Sequence, residues 1–251
     1  MSEQTPPNIF WEIHSGLPRE GPGDDRSTER AFGMAVGLPK NPRILDIGAG
    51  PGANSLALAR CSAGNVIAVD RHQPFLDELE RRARKAGLAE RITTLNASMS
   101  RLPFEEGSFD LIWSEGAIYM IGFRQGLTYW RRFLSPNGYI VVTEPCWLKK
   151  EIPDEARRNW VEYPAMTTIE DTRRIIADCR MREVGSFVLP ELSWWDEYYR
   201  PTEAKLKTLR SKYASHPHAI TQIEEAQLEI DIYRKYPDVF GYVFFVMQLS
   251  D

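Results

Sequence analysis

The segment that most constrains the fold is the run Arg-Ile-Leu-Asp-Ile-Gly-Ala-Gly-Pro-Gly at positions 43–52. Its apolar first half is typical of a strand buried on both faces, and the alternating glycines predict a tight turn into a helix that begins near Ala53. Glycine lets the backbone approach a ligand without a Cβ in the way. The free N–H groups of the first helical turn and the carboxylate of Asp46 are then expected at one edge of a sheet. The run therefore predicts a strand–turn–helix unit that binds a ligand mainly through its main chain.

The glycine spacing alone leaves two cofactor classes open. Gly48, Gly50 and Ala53 match the fingerprint of proteins that bind nicotinamide or flavin dinucleotides. With Asp46 and Gly52 the run becomes Asp-x-Gly-x-Gly-Pro-Gly, which resembles motif I of the class I methyltransferases that use S-adenosylmethionine (SAM). In that family the turn wraps the aminoacyl end of the cofactor, and a nearby acid helps to satisfy its ammonium group. An acid at this place would repel a pyrophosphate, so the resemblance favours SAM.

A second buried strand, predicted at 66–70, also ends in an acid. Asp70 lies 18 residues past Gly52, where a carboxylate can accept both ribose hydroxyls of an adenosine. Dinucleotide-binding folds use an acid in the same way, so this feature does not separate the two cofactors. Arg71, which follows it, is included in the predicted cofactor site.

Three later segments extend the resemblance over about residues 40–145: Leu-Pro-Phe at 102–104, Ser-Phe-Asp-Leu-Ile at 108–112, and Phe-Leu-Ser-Pro-Asn-Gly-Tyr-Ile-Val-Val at 133–142. The family usually carries an aspartate four residues before its Leu-Pro-Phe, where it meets the adenine amino group. This chain has Ser98 there, which can still bond a base, and Met99 can pack against the base. The resemblance implies a cofactor site made of Asp46, Gly48, Ala49, Gly50, Gly52, Asp70, Arg71, Ser98, Met99 and Ser114.

A closer resemblance points to one subgroup of the family. Gly-Pro-Gly at 50–52, Trp-Ser-Glu-Gly-Ala-Ile-Tyr at 113–119 and Gly-Tyr-Val-Phe-Phe at 241–245 are similar to uncharacterised bacterial and archaeal methyltransferases of the type 11-like, small-molecule kind. This subgroup does not supply a substrate.

The family implies an α/β fold, a Rossmann-like, doubly wound, seven-stranded sheet whose last strand is reversed. Residues 1–42 are predicted to form an N-terminal arm and a cap helix, and residues 43–251 the SAM-binding methyltransferase domain. Helical insertions are expected at about 150–165 and 193–236, and the second of these is named the lid.

Composition and charge limit the partners of the chain. The 251 residues carry a formal net charge of −4, which argues against nucleic acid or an anionic membrane surface and favours a small molecule. No segment is long and apolar enough to cross a bilayer, and the first residues lack the features of a signal peptide. The widely spaced Cys61, Cys146 and Cys179, and four histidines without metal-binding spacing, predict a reducing compartment and no metal site. We expect a cytoplasmic protein, and the sequence leaves its oligomeric state open.

Aromatic residues of the lid are the main candidates for the substrate pocket. Trp194, Trp195, Tyr198 and Tyr199 lie within six positions. On a helix Trp194 shares a face with Tyr198, and Trp195 shares another with Tyr199. One pair can therefore line a pocket, although either can also serve only to attach the lid to the core. Aromatic faces suit a cationic sulfonium or an amine.

Further candidates come from the arm and from the ligand edge of the sheet. Arg19 can meet a carboxylate of the cofactor or of a substrate, and Tyr119 and Trp147 are expected to face the same site. If the acceptor must lose a proton, Glu115 is the first candidate for the base, with His14 and Tyr119 behind it. A fixed salt bridge or a cofactor contact explains Glu115 equally well.

The sequence as a whole predicts a SAM-dependent methyltransferase (EC 2.1.1.-) that acts on a small molecule. Two alternatives remain. A SAM-binding sensor without turnover would carry every one of these motifs. An NAD(P)-dependent oxidoreductase would explain the glycines and Asp70, but not the Leu-Pro-Phe segment or the position of the last strand.

Overall fold

The computed structural model describes residues 8–250, so the first seven residues of the predicted arm and the last residue of the chain lie outside the described part. The strands are β1 (Arg43–Ile47), β2 (Asn65–Asp70), β3 (Ile92–Asn96), β4 (Phe109–Ser114), β5 (Leu134–Trp147), β6 (Thr167–Thr168), β7 (Met181–Val188) and β8 (Phe240–Leu249). The helices are α1 (Phe10–His14), α2 (Asp25–Met34), α3 (Ala53–Cys61), α4 (Gln73–Lys85), α5 (Phe123–Trp130), α6 (Asp154–Asn159), α7 (Ile169–Asp178), α8 (Leu192–Trp194), α9 (Arg200–Lys212) and α10 (Pro217–Lys235). A π-helical segment, Trp195–Tyr199, joins α8 to α9.

The strands form one sheet in the order β3-β2-β1-β4-β5-β8-β7. Strand β8 runs antiparallel to both of its neighbours, β5 and β7, whereas the other pairs along this path are parallel. The predicted seven-stranded sheet with a reversed last strand is therefore confirmed. The two-residue β6, which pairs with the end of β5, is the one addition among the described residues.

Each face of the sheet has its own core. Ile44 of β1 packs in one cluster with Leu79 of α4, while its neighbour Leu45 packs in the other cluster with Leu127 of α5 and Ile176 of α7. Adjacent residues of a strand point to opposite faces, so a strand buried on both sides needs the uninterrupted apolar run that the sequence shows. The sheet is thus covered by helices on both faces.

Two glycines allow the turn after β1 to fit between its neighbours. Gly48 has a φ of +75°, and a Cβ there would lie 2.4 Å from the Cβ of Ala117, in the loop that follows β4. Gly52 has a φ of +88°, and a Cβ there would lie 2.0 Å from Cδ1 of the buried Leu79. An L side chain at either position would be strained by its backbone and by these neighbours.

The described part of the arm, residues 8–24, packs against the lid. The N–H of Gly23 donates to the carbonyl of Ser193 at 3.0 Å, and the hydroxyl of Tyr213 donates to the Glu12 carboxylate at 2.7 Å. Ile9 and Ile13 are buried in the same cluster as the lid core. The arm and lid therefore share a core with the rest of the chain, and the division at residue 42 stays a prediction. Within residues 8–250, no helix has both the length and the apolar character that a membrane crossing requires.

Gly52 is required both by its left-handed backbone angle and by its close contact with Leu79. A pair of alanine substitutions separates these two requirements. Gly52→Ala combines left-handed strain, about 1–2 kcal/mol, with overpacking against Leu79, about 1–3 kcal/mol. Gly87→Ala is the matched control, because Gly87 has a φ of +69° with nothing within 4 Å of its added Cβ. We expect urea denaturation to show the larger loss of unfolding free energy for Gly52→Ala. Equal losses for the two variants would contradict the packing argument.

Candidate functional site

A cavity of about 870 Å³ lies at the carboxyl ends of the central strands. Its walls come from the turn after β1, the end of β2, the loop after β4, the arm and the lid. This is the edge at which open α/β sheets bind ligands. We refer to it as the main cavity.

The backbone amides of the glycine turn are largely used inside the protein. The N–H groups of Gly48 and Ala49 both donate to the carbonyl of Val69, and the N–H of Gly50 donates to Oδ2 of Asp70 at 2.9 Å. The other oxygen of Asp70 accepts the N–H of His72 at 2.8 Å. These bonds lock the ends of β1 and β2 together. The donors that remain for a ligand are those of the first turn of α3, where N–H groups have no partner within the helix.

The predicted cofactor residues divide into two groups. The main cavity is lined by Gly48, Ala49, Gly50, Asp70, Arg71 and Met99. The structure does not place Asp46, Gly52, Ser98 or Ser114 on its wall.

The four residues outside the wall have structural contacts instead. Asp46 is fully buried beneath the turn, where one oxygen accepts the Ser55 hydroxyl at 2.6 Å and the other has no partner. Burial, aided by nearby carboxylates, raises the pKa of Asp46 to about 7. Ser114 donates to the carbonyl of Ile47 at 2.8 Å, which ties β4 to β1. The expectation that Asp46 faces the ammonium group of a ligand is not supported by this placement.

Ser98 and Gly52 also do not line the cavity, although both are predicted cofactor residues. The Ser98 hydroxyl pairs with that of Ser100 at 2.9 Å, while Met99 lines the cavity beside it. Gly52 allows α3 to approach Leu79, so its requirement for glycine comes from packing. In both cases a residue next to the motif position lines the cavity, and the motif residue itself does not.

Arg19 is buried at the wall and bonded on all sides by the protein. Its Nε donates to Glu197 of the lid at 2.6 Å, one terminal nitrogen donates to Asn54 of α3 at 2.6 Å, and the other donates to Asp25 of α2 at 2.8 Å. The first of these terminal nitrogens also lies 3.8 Å from Oε2 of Glu115. The predicted carboxylate partner of Arg19 therefore exists, but it is supplied by this chain rather than by a ligand.

Glu115 lines the main cavity, but its carboxylate is strongly constrained. Its Oε1 accepts the Thr28 hydroxyl at 2.7 Å and the Trp113 indole N–H at 2.8 Å. Burial raises the pKa of Glu115, and the charge of Arg19 opposes that rise. This geometry matches the fixed salt-bridge reading more closely than the reading as a mobile base.

The other two proposed bases also line the main cavity. Nδ1 of His14 forms a hydrogen bond with Oε2 of Glu20 at 2.9 Å, in a pair that lies over the glycine turn. Tyr119 is half-buried, and burial raises the pKa of its phenol, so the ring carries a neutral hydroxyl at ordinary pH. The structure brings Glu115, His14 and Tyr119 to the walls of one cavity.

The lid aromatics divide as the helical spacing allowed. Trp194 and Tyr198 line the main cavity, whereas Trp195 and Tyr199 lie behind it. Trp195 is half-buried next to the Arg234 guanidinium, which lies 5.0 Å from its ring centroid. Trp147 is not on the wall. Its indole N–H donates at 3.2 Å to the carbonyl of Met166, which directly follows the first insertion.

Sequence reasoning missed several residues of the main cavity. They come from the two helical insertions and from β8, and are Trp160, Tyr163, Glu225, Glu229 and Tyr242. The two acids could have been found from their spacing in the sequence. Glu225 and Glu229 lie four positions apart, as do Glu229 and Tyr233, so the three residues share one face of α10. Tyr242 lies in the Gly-Tyr-Val-Phe-Phe segment, whose sequence indicates the last strand and a family resemblance but no role in the site.

Glu144 of β5 lies behind the main cavity and faces a second cavity of about 730 Å³. Its Oε1 accepts the hydroxyl of Tyr163 at 2.5 Å, and its Oε2 is buried with no partner. Tyr163 lines both cavities. Burial raises the pKa of Glu144 to about 8.

Comparison with protein families agrees with this geometry. Residues 44–138 match a family model described as a methyltransferase domain. The chain is 36% identical over 140 residues to dimethylglycine N-methyltransferase of Parasynechococcus marenigrum, which covers 53% of this chain and 50% of that protein. It is 38% identical over 141 residues to demethylmenaquinone methyltransferase of Clavibacter sepedonicus, with 54% and 56% covered. The chain thus spans about half the length of these curated relatives.

Comparison with solved structures covers almost the whole chain. A SAM-dependent methyltransferase from Geobacter sulfurreducens in complex with S-adenosyl-L-homocysteine (SAH) superposes with a TM-score of 0.82, over 97% of this chain and 98% of that one, at 20% identity. One from Thiobacillus denitrificans, also in complex with SAH, gives a TM-score of 0.83 over 97% and 99%, at 19% identity. At this identity the likeness concerns the fold, including the arm and lid.

The buried Glu144 predicts a pH dependence of stability. Its pKa is raised in the folded state, so its contribution is intact below pH 4.5 and is lost as the pH rises to about 8. Glu144→Gln keeps an acceptor for Tyr163 and cannot ionise. The unfolding free energy of the wild type should fall with rising pH in this window. We expect this slope to be smaller in Glu144→Gln, by at most about 1.4 kcal/mol per pH unit.

The measurement is urea denaturation from pH 5 to pH 9, with the exposed Glu224→Gln as the control. A variant whose stability declines with pH as steeply as the wild type would show that Glu144 is ionised in the fold.

Proposed function

We propose that this chain is a class I SAM-dependent methyltransferase, which transfers a methyl group from SAM to a small molecule in the main cavity. The observation that carries this proposal is the convergence of three elements on one cavity. They are the glycine turn with Asp70, the loop after β4 with Glu115 and Tyr119, and the aromatic side of the lid.

The residues at the turn fit the cofactor. Gly48 and Gly50 expose backbone in the cavity wall, and Asp70 holds the turn while each of its oxygens keeps a second lone pair free. In the proposed arrangement these lone pairs accept the ribose hydroxyls, and Met99 packs against the base. The first turn of α3 supplies N–H donors and a partial positive charge for a carboxylate. Ser98, Ser114, Asp46 and Gly52 support these residues from behind.

Methyl transfer asks mainly for alignment and exclusion of water. When bound, SAM supplies an electrophilic methyl group and leaves as a neutral thioether. The chain's own part is to hold the acceptor in line with that group. In intramolecular reactions such orientation lowers the activation barrier by about 7–11 kcal/mol. The arm and lid cover the sheet edge, so they restrict the acceptor and keep water out.

A SAM-binding sensor without turnover is the remaining alternative, because it needs the same cofactor site. Space for a second molecule beside that site, in the same cavity, favours an enzyme over a sensor. Incubation with SAM carrying an isotope-labelled methyl group and a pool of metabolites tests this directly. Label in any small molecule supports the proposal, and label in none, with SAM bound, supports the sensor.

The proposal also includes the setting of the reaction. Cys61, Cys146 and Cys179 are all unpaired thiols, which supports a reducing compartment such as the cytoplasm. The acidic balance of the chain supports a small-molecule acceptor over nucleic acid. We keep residues 43–251 as the methyltransferase domain and residues 1–42 as the arm and cap helix that complete its site.

The role of Asp70 gives a direct test of the cofactor position. Asp70→Ala removes at least one charge-assisted hydrogen bond, worth about 1.5–3 kcal/mol, so the dissociation constant for SAH should rise at least roughly 10-fold. Asp77→Ala, an exposed change on the neighbouring helix, should leave it unchanged. Isothermal titration with SAH, and with NAD for comparison, measures both. An unchanged SAH affinity in a folded Asp70→Ala variant would remove the proposed ribose contact.

A further inference from the structure

The part of the main cavity furthest from Asp70 has a distinct chemistry. It is lined by aromatic side chains and one half-buried acid, and we name it the acceptor compartment: Tyr119, Trp160, Tyr163, Trp194, Tyr198, Tyr242 and Glu229. Tyr242 belongs to β8, which lies four strands from the β2 strand of Asp70 in the sheet order. With neighbouring strands about 4.8 Å apart, the two ends of the cavity are separated by roughly 19 Å. A cofactor held at Asp70 and the glycine turn leaves this end for a second molecule.

Glu229 is the charged group of the acceptor compartment. One of its oxygens accepts the hydroxyl of Tyr199 at 3.0 Å, which fixes the carboxylate from behind. No basic side chain within residues 8–250 forms an ion pair with it. Of the bases on the cavity wall, Arg19 is paired with three carboxylates and His14 with Glu20. Burial raises the pKa of Glu229, and the Tyr199 hydrogen bond and the charge of a protonated His14 oppose that rise only in part.

The aromatic residues face the same space as Glu229. Burial raises the pKa values of Tyr119, Tyr198 and Tyr242, and the Glu229 carboxylate raises them further, so the three phenols are neutral and close to its charge. Trp194 stacks on Tyr242 with ring centroids 5.4 Å apart. Neutral electron-rich rings attract a cation through their faces, and they give no counterion to an anion.

The indole nitrogens do not change this picture. The N–H groups of Trp160 and Trp194 have no hydrogen-bond partner, but both nitrogen atoms are buried beneath the cavity surface. The compartment is therefore lined by indole rings, phenols and a carboxylate, and none of its seven lining residues is a cation that could pair with an acidic acceptor.

We propose that the methyl acceptor is an organic amine, whose ammonium form binds at the Glu229 carboxylate among the aromatic rings of the acceptor compartment. This inference rests on the proposed function. The ammonium gives one proton to the Glu229 carboxylate, the freed nitrogen lone pair forms the N–C bond, and the C–S bond breaks with its electron pair on sulfur. The methylated ammonium and the thioether leave, and Glu229 returns its proton to water, so no other reactant is needed.

Three probes with one carbon skeleton test the preference: benzylamine, benzyl alcohol and benzoate. Their binding is measured by isothermal titration to protein saturated with SAH, and again to protein alone. A charge-assisted hydrogen bond of about 1.5–3 kcal/mol predicts that benzylamine binds at least roughly 10-fold more tightly than benzyl alcohol. Benzoate should bind most weakly, because its negative charge is repelled by the Glu229 carboxylate and no cation of the compartment pairs with it.

Glu229→Gln should remove the preference for benzylamine and leave the affinities for benzyl alcohol and SAH unchanged. Glu224→Gln is the matched control, since Glu224 is exposed on the same helix and does not line the cavity. A fold check by thermal melting accompanies both variants.

Benzyl alcohol or benzoate binding as tightly as benzylamine would overturn the inference, and so would an absence of benzylamine binding at about 10 mM, or a preference that survives in Glu229→Gln. Failure of the proposed function has a different signature. The protein would not bind SAH, while the amine preference could still be measured on the protein alone.

Discussion

The ionic contacts of Arg19 hold together the parts of the molecule that form the main cavity. Its guanidinium comes from the arm and bonds to Asp25 of α2, Asn54 of α3 and Glu197 of the lid, with Glu115 of the β4 loop close by. Burial disfavours the charge, but the surrounding carboxylates outweigh it and raise the pKa of Arg19. Removing one partner of a buried ionic group typically costs about 3–5 kcal/mol, because the other charges are left uncompensated. The arm, core and lid therefore form the cavity as one connected unit.

The division of labour along the sheet edge follows from this arrangement. Strands β1, β2 and β4 carry the glycine turn, Asp70 and Glu115, whereas β8 borders the acceptor compartment through Tyr242. The reversed strand β8 brings Tyr242 to the compartment from its beginning rather than its end, because it runs opposite to β5. A parallel strand at this position would present its last residues there. The reversed strand is thus part of the site as well as part of the fold.

The fold could be predicted because its signals are local. The apolar runs of β1 and β2, the glycine turn and the amphipathic α4 each depend on residues close in sequence, and they gave the correct order of elements. The partners of Arg19 could not be predicted, because Glu197 is 178 residues away and meets it only after the lid folds back. Asp46 shows a second limit, since a carboxylate after a strand can face the ligand edge or point beneath the turn. Only the packing of Ser55 against it shows which occurs.

The aromatic cluster of the lid shows the same limit in a smaller span. Helical spacing correctly indicated that Trp194 and Tyr198 share a face, but it did not show which pair faces inward. That choice depends on Tyr233 of α10, which stacks on Trp194 with centroids 4.1 Å apart, and on Tyr242 of β8. Glu229 was missed for a related reason, because an acid on a long helix resembles a solvated side chain until a cavity is found beside it.

The central claim is that core, arm and lid form one site, and hydrogen–deuterium exchange with and without SAH tests it most directly. The account predicts that SAH slows exchange in three places together: the turn at 48–53, the arm at 19–24 and the lid at 192–199. These segments are joined through Arg19 and the bond between Gly23 and Ser193, so ordering one orders the others. Slower exchange confined to the core at 43–114, with the arm and lid unchanged, would contradict the account.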